Sequence, residues 1–155
     1  MLRFALTFNN AGIYSQFVSE KLVCHCSLVR GAARTITRFY DERLAPARVT
    51  AAQYALLRAI NRAHNPSLTE LGRDLDLERS TLGRNLRSLE NAGLVRMRWG
   101  KDRRARAISL TTKGRAAMNK AFQLWAAAQA EIERAVGPEL LGHMARLAQE
   151  VQSLG

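Results

Sequence analysis

Residues 68–114 read LTELGRDLDLERSTLGRNLRSLENAGLVRMRWGKDRRARAISLTTKG, and the spacing of their apolar residues changes partway along. Leu68, Leu71 and Leu75 mark one face of a short helix over 67–75, opened by a capping box in which Thr69 sits before Glu70. Residues 76–78 make a tight connection. Leu82, Leu86 and Leu89 then recur at i, i+4 and i+7, which predicts a second helix over about 79–92 with Gly93 as its C′ residue. Two short helices so joined spell a helix-turn-helix. From Val95 the period drops to two: Val95, Met97 and Trp99 alternate with Arg96 and Arg98. A turn containing Gly100 leads into 104–110, where Ile108 and Leu110 share a face, so the segment is a β-hairpin. A helix-turn-helix followed by a hairpin is a winged helix.

The flanking sequence is helical. From Val23 to Leu44, Leu28, Ile36, Phe39, Tyr40 and Leu44 recur at helical spacings, and Pro46 ends the run. Thr50 caps a helix carrying Tyr54, Leu57 and Ile60, which stops at His64-Asn65-Pro66. Thr112 is the expected cap of a long helix to about Ala135, in which Gly114 weakens only the first turn. Gly137-Pro138 breaks it, and a last helix to about Leu154 places Leu140, Leu141, Met144, Leu147 and Val151 on one side. The expected fold is mainly α with a small β-hairpin wing. It comprises an N-terminal arm or extension (1–22) and one domain (23–155): a winged helix-turn-helix over about 50–111, with helices of about 23–45 and 112–154 left for dimerisation. Their apolar faces exceed what one small winged helix needs for its own cover, and a twin is the economical partner.

Charge gives this fold a use. The chain has 155 residues, with 24 Lys and Arg against 13 Asp and Glu, for a net charge of +11. Residues 67–115 hold twelve of those cations and six of the acids, so more than half of the excess lies in under a third of the length. Within the wing, Arg98, Lys101, Arg103, Arg104 and Arg106 surround one acid, Asp102. Like charges at that density repel unless an anion lies among them, and nucleic acid is the default partner of such a field. An arginine at the wing tip suits a narrow minor groove, with Asp102 orienting Arg103 or Arg104. On the second helix the leucines face inward, so Arg79, Ser80, Thr81, Gly83, Arg84, Asn85 and Arg87 face outward, side chains suited to base edges and phosphates. Gly83 lowers helix propensity by about 1 kcal/mol against alanine, and close backbone approach is the expected reason.

These residues resemble the winged-helix core of the MarR family of bacterial transcription regulators. The family's wing pattern, Asp-x-Arg and then a strand ending in Leu-Thr-x-x-Gly, is matched by Asp102, Arg104, Leu110, Thr111 and Gly114. The resemblance runs from about Val23 to the C-terminus. It implies an obligate homodimer on a pseudo-palindromic double-stranded operator, most often as a repressor, with recognition helices about 34 Å apart.

Regulation needs an input, and Cys24-His25-Cys26 offers one. By similarity to the family's organic-hydroperoxide-sensing branch, Cys26 falls on the redox-active cysteine and Tyr40 on one of the tyrosines that bond its sulfur, while Arg30 replaces the other. Arg30 lies one turn beyond Cys26, where its charge favours a thiolate. Cys24 and Cys26 would point to nearly opposite sides of a helix, so an oxidised form would involve sulfenic acid, a small thiol or the other subunit. The bland alternative makes both cysteines small buried hydrophobes. A third input is a small aromatic ligand lined by Phe39, Tyr40, Phe122 and Trp125.

Other classes find less support. No Ser-His-Asp set, phosphate-cradling glycine loop or spaced carboxylate pair marks an enzyme, which leaves a thiol-based redox enzyme using Cys26 as the rival; no catalytic residue, cofactor or metal is expected. A winged helix serving as an interaction scaffold or general RNA binder is the third reading, and the wing argues against it, because a scaffold gains nothing from Arg98, Arg103, Arg104 and Arg106. No apolar run spans a bilayer, the N-terminus lacks a secretory pattern and two cysteines make no disulfide framework, so a cytoplasmic location is expected.

Overall fold

The computed structural model describes residues 24–99 and 106–153, with backbone alone at Trp99 and Arg106. In chain order they form α1 (His25–Leu44), a 3-10 turn (Ala45–Ala47), α2 (Ala51–Ala63), α3 (Leu68–Asp74), α4 (Arg79–Asn91), β1 (Val95–Trp99), β2 (Arg106–Leu110), α5 (Thr112–Val136) and α6 (Pro138–Gln152). Contacts divide the chain into two units, Met1–Arg38 and Phe39–Gly155. In the first, the described residues are the helical stretch from Cys24 onward, where Thr35 Oγ1 donates to the Gly31 carbonyl at 3.2 Å. Among the described residues no helix is long and apolar enough to cross a membrane.

The second unit holds a mainly helical winged helix, as the sequence predicts. Thr50 and Gln53 cap α2 reciprocally, Thr50 Oγ1 accepting from the Gln53 amide and Gln53 Oε1 from the Thr50 amide. The capping box of α3 lies two residues before the expected Thr69: Ser67 Oγ accepts from the Glu70 amide and the Glu70 carboxylate from the Ser67 amide. Ser67 takes the cap because its backbone is extended (φ −77°, ψ 167°), the geometry that aims a hydroxyl at the next turn. The Ser67 amide, and after it the Ser67 hydroxyl, also hold the exposed Glu70 carboxyl below the usual carboxylate range. Asp76, at φ 48°, makes the left-handed bend between α3 and α4, and the Leu77 amide closes it on the Gly72 carbonyl at 2.9 Å.

Tyr54, Leu57 and Ile60 of α2, Leu71 of α3, and Leu82, Leu86 and Leu89 of α4 meet in one core with Val95, Ile108 and Leu110 of the hairpin and Ala121 of α5. The three α4 leucines are at most 1% exposed. At roughly 1.5–3 kcal/mol each, their burial outweighs the propensity loss at Gly83 and fixes which face of α4 points out. β1 and β2 pair antiparallel, Val95 opposite Leu110 and Met97 opposite Ile108, so one face of the ribbon is apolar.

The wing is pinned to α5 at its base. Thr111, not the expected Thr112, caps α5: its hydroxyl accepts from the Gly114 amide at 2.9 Å and donates to the Gly93 carbonyl at 2.7 Å. The Thr111 amide donates to the Leu94 carbonyl at 3.0 Å. Gly114 is buried, and a β-carbon there would fall on that same Leu94 carbonyl. The Leu-Thr-x-x-Gly pattern is therefore a clasp between strand and helix.

Candidate nucleic-acid interface and signal inputs

The outward face of α4 begins where the helix does. Arg79, Ser80, Arg84 and Arg87 are exposed, with Thr81, Gly83 and Asn85 half-buried among them. The first turn contains no acid and the N-cap residue Glu78 makes no side-chain cap. Unpaired amides and the helix dipole favour an anion at that end; the Glu78 side chain does not cap them, and Arg79 follows it. A phosphate would satisfy both the amides and the guanidinium. Asn85 Nδ2 donates back to the Thr81 carbonyl at 3.2 Å, which ties its amide group to its own helix. Lys113 Nζ donates to the Ala92 carbonyl at 2.7 Å, closing the other end of α4.

In the hairpin, Val95 is buried and Met97 packs against the core, so the alternate residues Arg96 and Arg98 are turned out and exposed. Arg96 thus joins Arg98 on the same face, although the sequence expectation named only Arg98; the two-residue period that sends Arg98 outward does the same for Arg96. Of the remaining expected wing contacts, Lys101, Asp102, Arg103 and Arg104 lie outside the described residues, as does the side chain of Arg106.

Both cysteines are exposed, unlike the buried small hydrophobes of the bland alternative. Cys24 stands at the N-cap of α1, its carbonyl accepting from the Leu28 amide at 3.1 Å. The neighbouring Ser27 amide, then the Ser27 hydroxyl and the Cys26 amide, hold the thiol below the usual cysteine range, against an opposing effect of desolvation. Tyr40, expected to serve the sulfur of Cys26, donates its hydroxyl to Gln129 Oε1. Burial, then the Glu133 carboxylate, pushes its phenol up.

The four aromatic residues expected to line a ligand fall into two ring clusters. Phe39 and Tyr40 meet edge to face at 5.7 Å. Phe122 stacks on Trp125 at 6.3 Å, and Trp125 meets Tyr54 at 6.1 Å. Arg58 lies over the Trp125 ring, its Cζ 5.1 Å from the centroid. A cleft of about 300 Å³ between α2 and α5 is bordered by Tyr54, Arg58, Met118 and Phe122. The buried Tyr54 hydroxyl has no partner among the described residues, a state that costs about 1–3 kcal/mol.

Residues 49–114 match the winged helix DNA-binding domain family. The M. tuberculosis transcriptional regulator MosR, solved in complex with DNA, is 38% identical to this chain; the match covers 84% of this chain and 98% of that one, with a TM-score of 0.73. A mutant of E. coli MarR complexed with operator DNA is 25% identical over 81% of this chain and 91% of its own, with a TM-score of 0.72. CouR, a transcriptional repressor bound to a DNA duplex, shares the fold at 21% identity, with a TM-score of 0.74 over 92% of this chain and 96% of its own. No curated protein sequence matches significantly.

Proposed function

Because the chain belongs to the MarR family of winged helix-turn-helix transcription regulators, we propose that it acts as a homodimeric repressor released from its operator by an oxidant. As a member it is a DNA-binding transcriptional regulator. The observation that carries the contact map is the outward face of α4, where Arg79, Ser80, Arg84 and Arg87 belong to a helix whose first turn contains no acid and whose N-cap Glu78 makes no side-chain cap. In this reading α4 enters the major groove, Arg79 and Ser80 grip phosphate at its start, and Thr81, Arg84, Asn85 and Arg87 meet bases and the flanking backbone. Arg96 and Arg98 follow the adjoining phosphates and lead to Lys101, Arg103, Arg104 and Arg106 at the wing, with Asp102 orienting an arginine.

Dimerisation is supported by α6. Leu140, Met144, Leu147 and Val151 form one stripe and are 51%, 40%, 49% and 58% exposed. Apolar area of that extent along a helix calls for cover. A second copy supplies it and sets two copies of α4 on a two-fold operator.

The oxidant input is placed at Cys24, with Cys26 beside it. The lowered thiol at the cap of α1 favours thiolate, the nucleophile in peroxide chemistry. Its sulfur attacks the distal oxygen of an organic hydroperoxide, the O–O bond breaks, and a proton from solvent completes the departing alcohol. Cys24 becomes a sulfenic acid, which condenses with a second thiol and loses water. The capping sulfur is then no longer a thiolate and the first turn of α1 loses its charged acceptor. The thiol acts as a sensor, oxidised once per event, rather than as the centre of a turning-over enzyme, and the protein works in the cytoplasm beside its DNA.

Fluorescence anisotropy on the DNA upstream of the protein's own coding sequence tests this input. Cumene hydroperoxide is expected to dissociate the wild-type complex, and Cys24→Ser is expected to bind DNA but ignore the oxidant. Oxidised wild type that stays bound would remove the redox input. The cleft between α2 and α5 favours a second reading, in which Arg58 and the ring of Phe122 take an aromatic carboxylate. Release by benzoate that is lost in Arg58→Ala would select it.

A further inference from the structure

Gly83 is the one residue on the outward face of α4 that the described chain does not explain. It lies in the interior of Arg79–Asn91, where glycine is a poorer helix former than alanine. Glycine is often required where the backbone turns left-handed, but the positive-φ glycines of the described chain are Gly93 and Gly137, not Gly83. It is also required where another group crowds the α-carbon, as the Leu94 carbonyl crowds Gly114. A β-carbon built at Gly83 meets nothing within 4 Å among the described residues outside its own helix backbone. Neither conformation nor packing within the chain calls for glycine here.

Arg79 and Arg87 lie one turn before and one turn after Gly83, and Ser80 lies beside it on the same face. The result is a bare patch of helix backbone framed by long cationic side chains. Cationic side chains that grip phosphates draw the helix toward the groove floor, and the missing side chain lets that patch come closest.

We propose that Gly83 is a specificity-determining residue, the notch at its α-carbon seating the 5-methyl group of a thymine in the major groove. The thymine methyl is the one apolar group that a base pair projects into that groove, and a shallow apolar notch between charged side chains suits it. The inference rests on the reading of α4 as the major-groove helix.

The test uses duplexes selected by the full-length wild-type protein from a randomised double-stranded pool. In the selected duplex each thymine is replaced in turn by deoxyuridine, which removes the methyl group and nothing else, and wild type, Gly83→Ala and Arg84→Ala are titrated on the set. Replacement of the seated thymine in one half-site is expected to weaken wild type about fourfold, the worth of one methyl-sized group leaving water. Gly83→Ala, its notch filled, is expected to bind the parent duplex more weakly and to be indifferent to that replacement. Its thermal midpoint should rise, because alanine favours the helix and the space is open, so lost affinity would not reflect lost folding. If no thymine exists whose replacement weakens wild type more than it weakens Gly83→Ala, the inference is overturned. Arg84→Ala separates the two levels: if it binds the parent duplex as wild type does, the placement of α4 in the groove fails, whereas its loss beside a normal Gly83→Ala sinks the notch alone.

Discussion

Gly114 shows how much one absent β-carbon can fix. The Leu94 carbonyl receives the Thr111 amide and occupies the space a side chain at Gly114 would need. Gly114→Ala must push that carbonyl away, breaking the bond to Thr111 and loosening the hydroxyl that caps α5. Overpacking a site walled by backbone costs about 1–3 kcal/mol, and the loss of the cap adds about 1. A urea titration is expected to show a stability loss of about 2 kcal/mol or more, and a loss under about 0.5 kcal/mol would mean that the clasp yields without cost. Local propensity treats Gly114 only as a weak first turn, because the carbonyl it accommodates arrives from the far side of the hairpin. The cysteines were likewise only half legible: their spacing marks a reactive pair, but the influence of the Ser27 and Cys26 amides on the Cys24 thiol depends on where α1 begins.

At the scale of elements, periodicity carried most of the fold, since α2, α3, α4, α5 and both strands each bury one face. The leucines of α4 and the alternation in β1 assign inside and outside without coordinates, and the structure agrees at Leu82, Leu86, Leu89 and Val95. Element ends were less legible. Ser67 and Thr111 take the caps in place of Thr69 and Thr112 because a cap is chosen by backbone dihedrals, which side-chain spacing does not encode. The division of labour between α4 and β1 yields a prediction. Arg84→Ala is expected to cost about 1–3 kcal/mol on the selected operator and to relax base preference at its position. Arg98→Ala should weaken binding on every duplex alike and reduce the salt slope by about one. Anisotropy titrations on operator and scrambled duplex across a salt series separate the two, and equal losses from both variants on every sequence would take Arg84 out of base readout.

For the molecule as a whole, charge and apolar surface demand different partners. The net charge of +11 is concentrated around α4 and the wing, whereas the stripe of Leu140, Met144, Leu147 and Val151 carries no charge and lies on the last helix. A duplex satisfies the first and cannot cover the second. If a second copy covers α6, each DNA contact is counted twice, and joining two half-site contacts raises affinity by about 10²–10⁴ over one alone. Leu147→Glu places a carboxylate in the middle of the stripe, where pairing would bury it without a partner. Since Leu147 is 49% exposed in the single chain, the variant is expected to keep its helical circular dichroism. It should sediment as a monomer and bind a full operator at least about 10²-fold more weakly than wild type, while its affinity for an isolated half-site changes little. A Leu147→Glu protein that remains a dimer would move the two-fold contact away from α6, and a monomer that keeps full operator affinity would show that the duplex alone aligns the two copies.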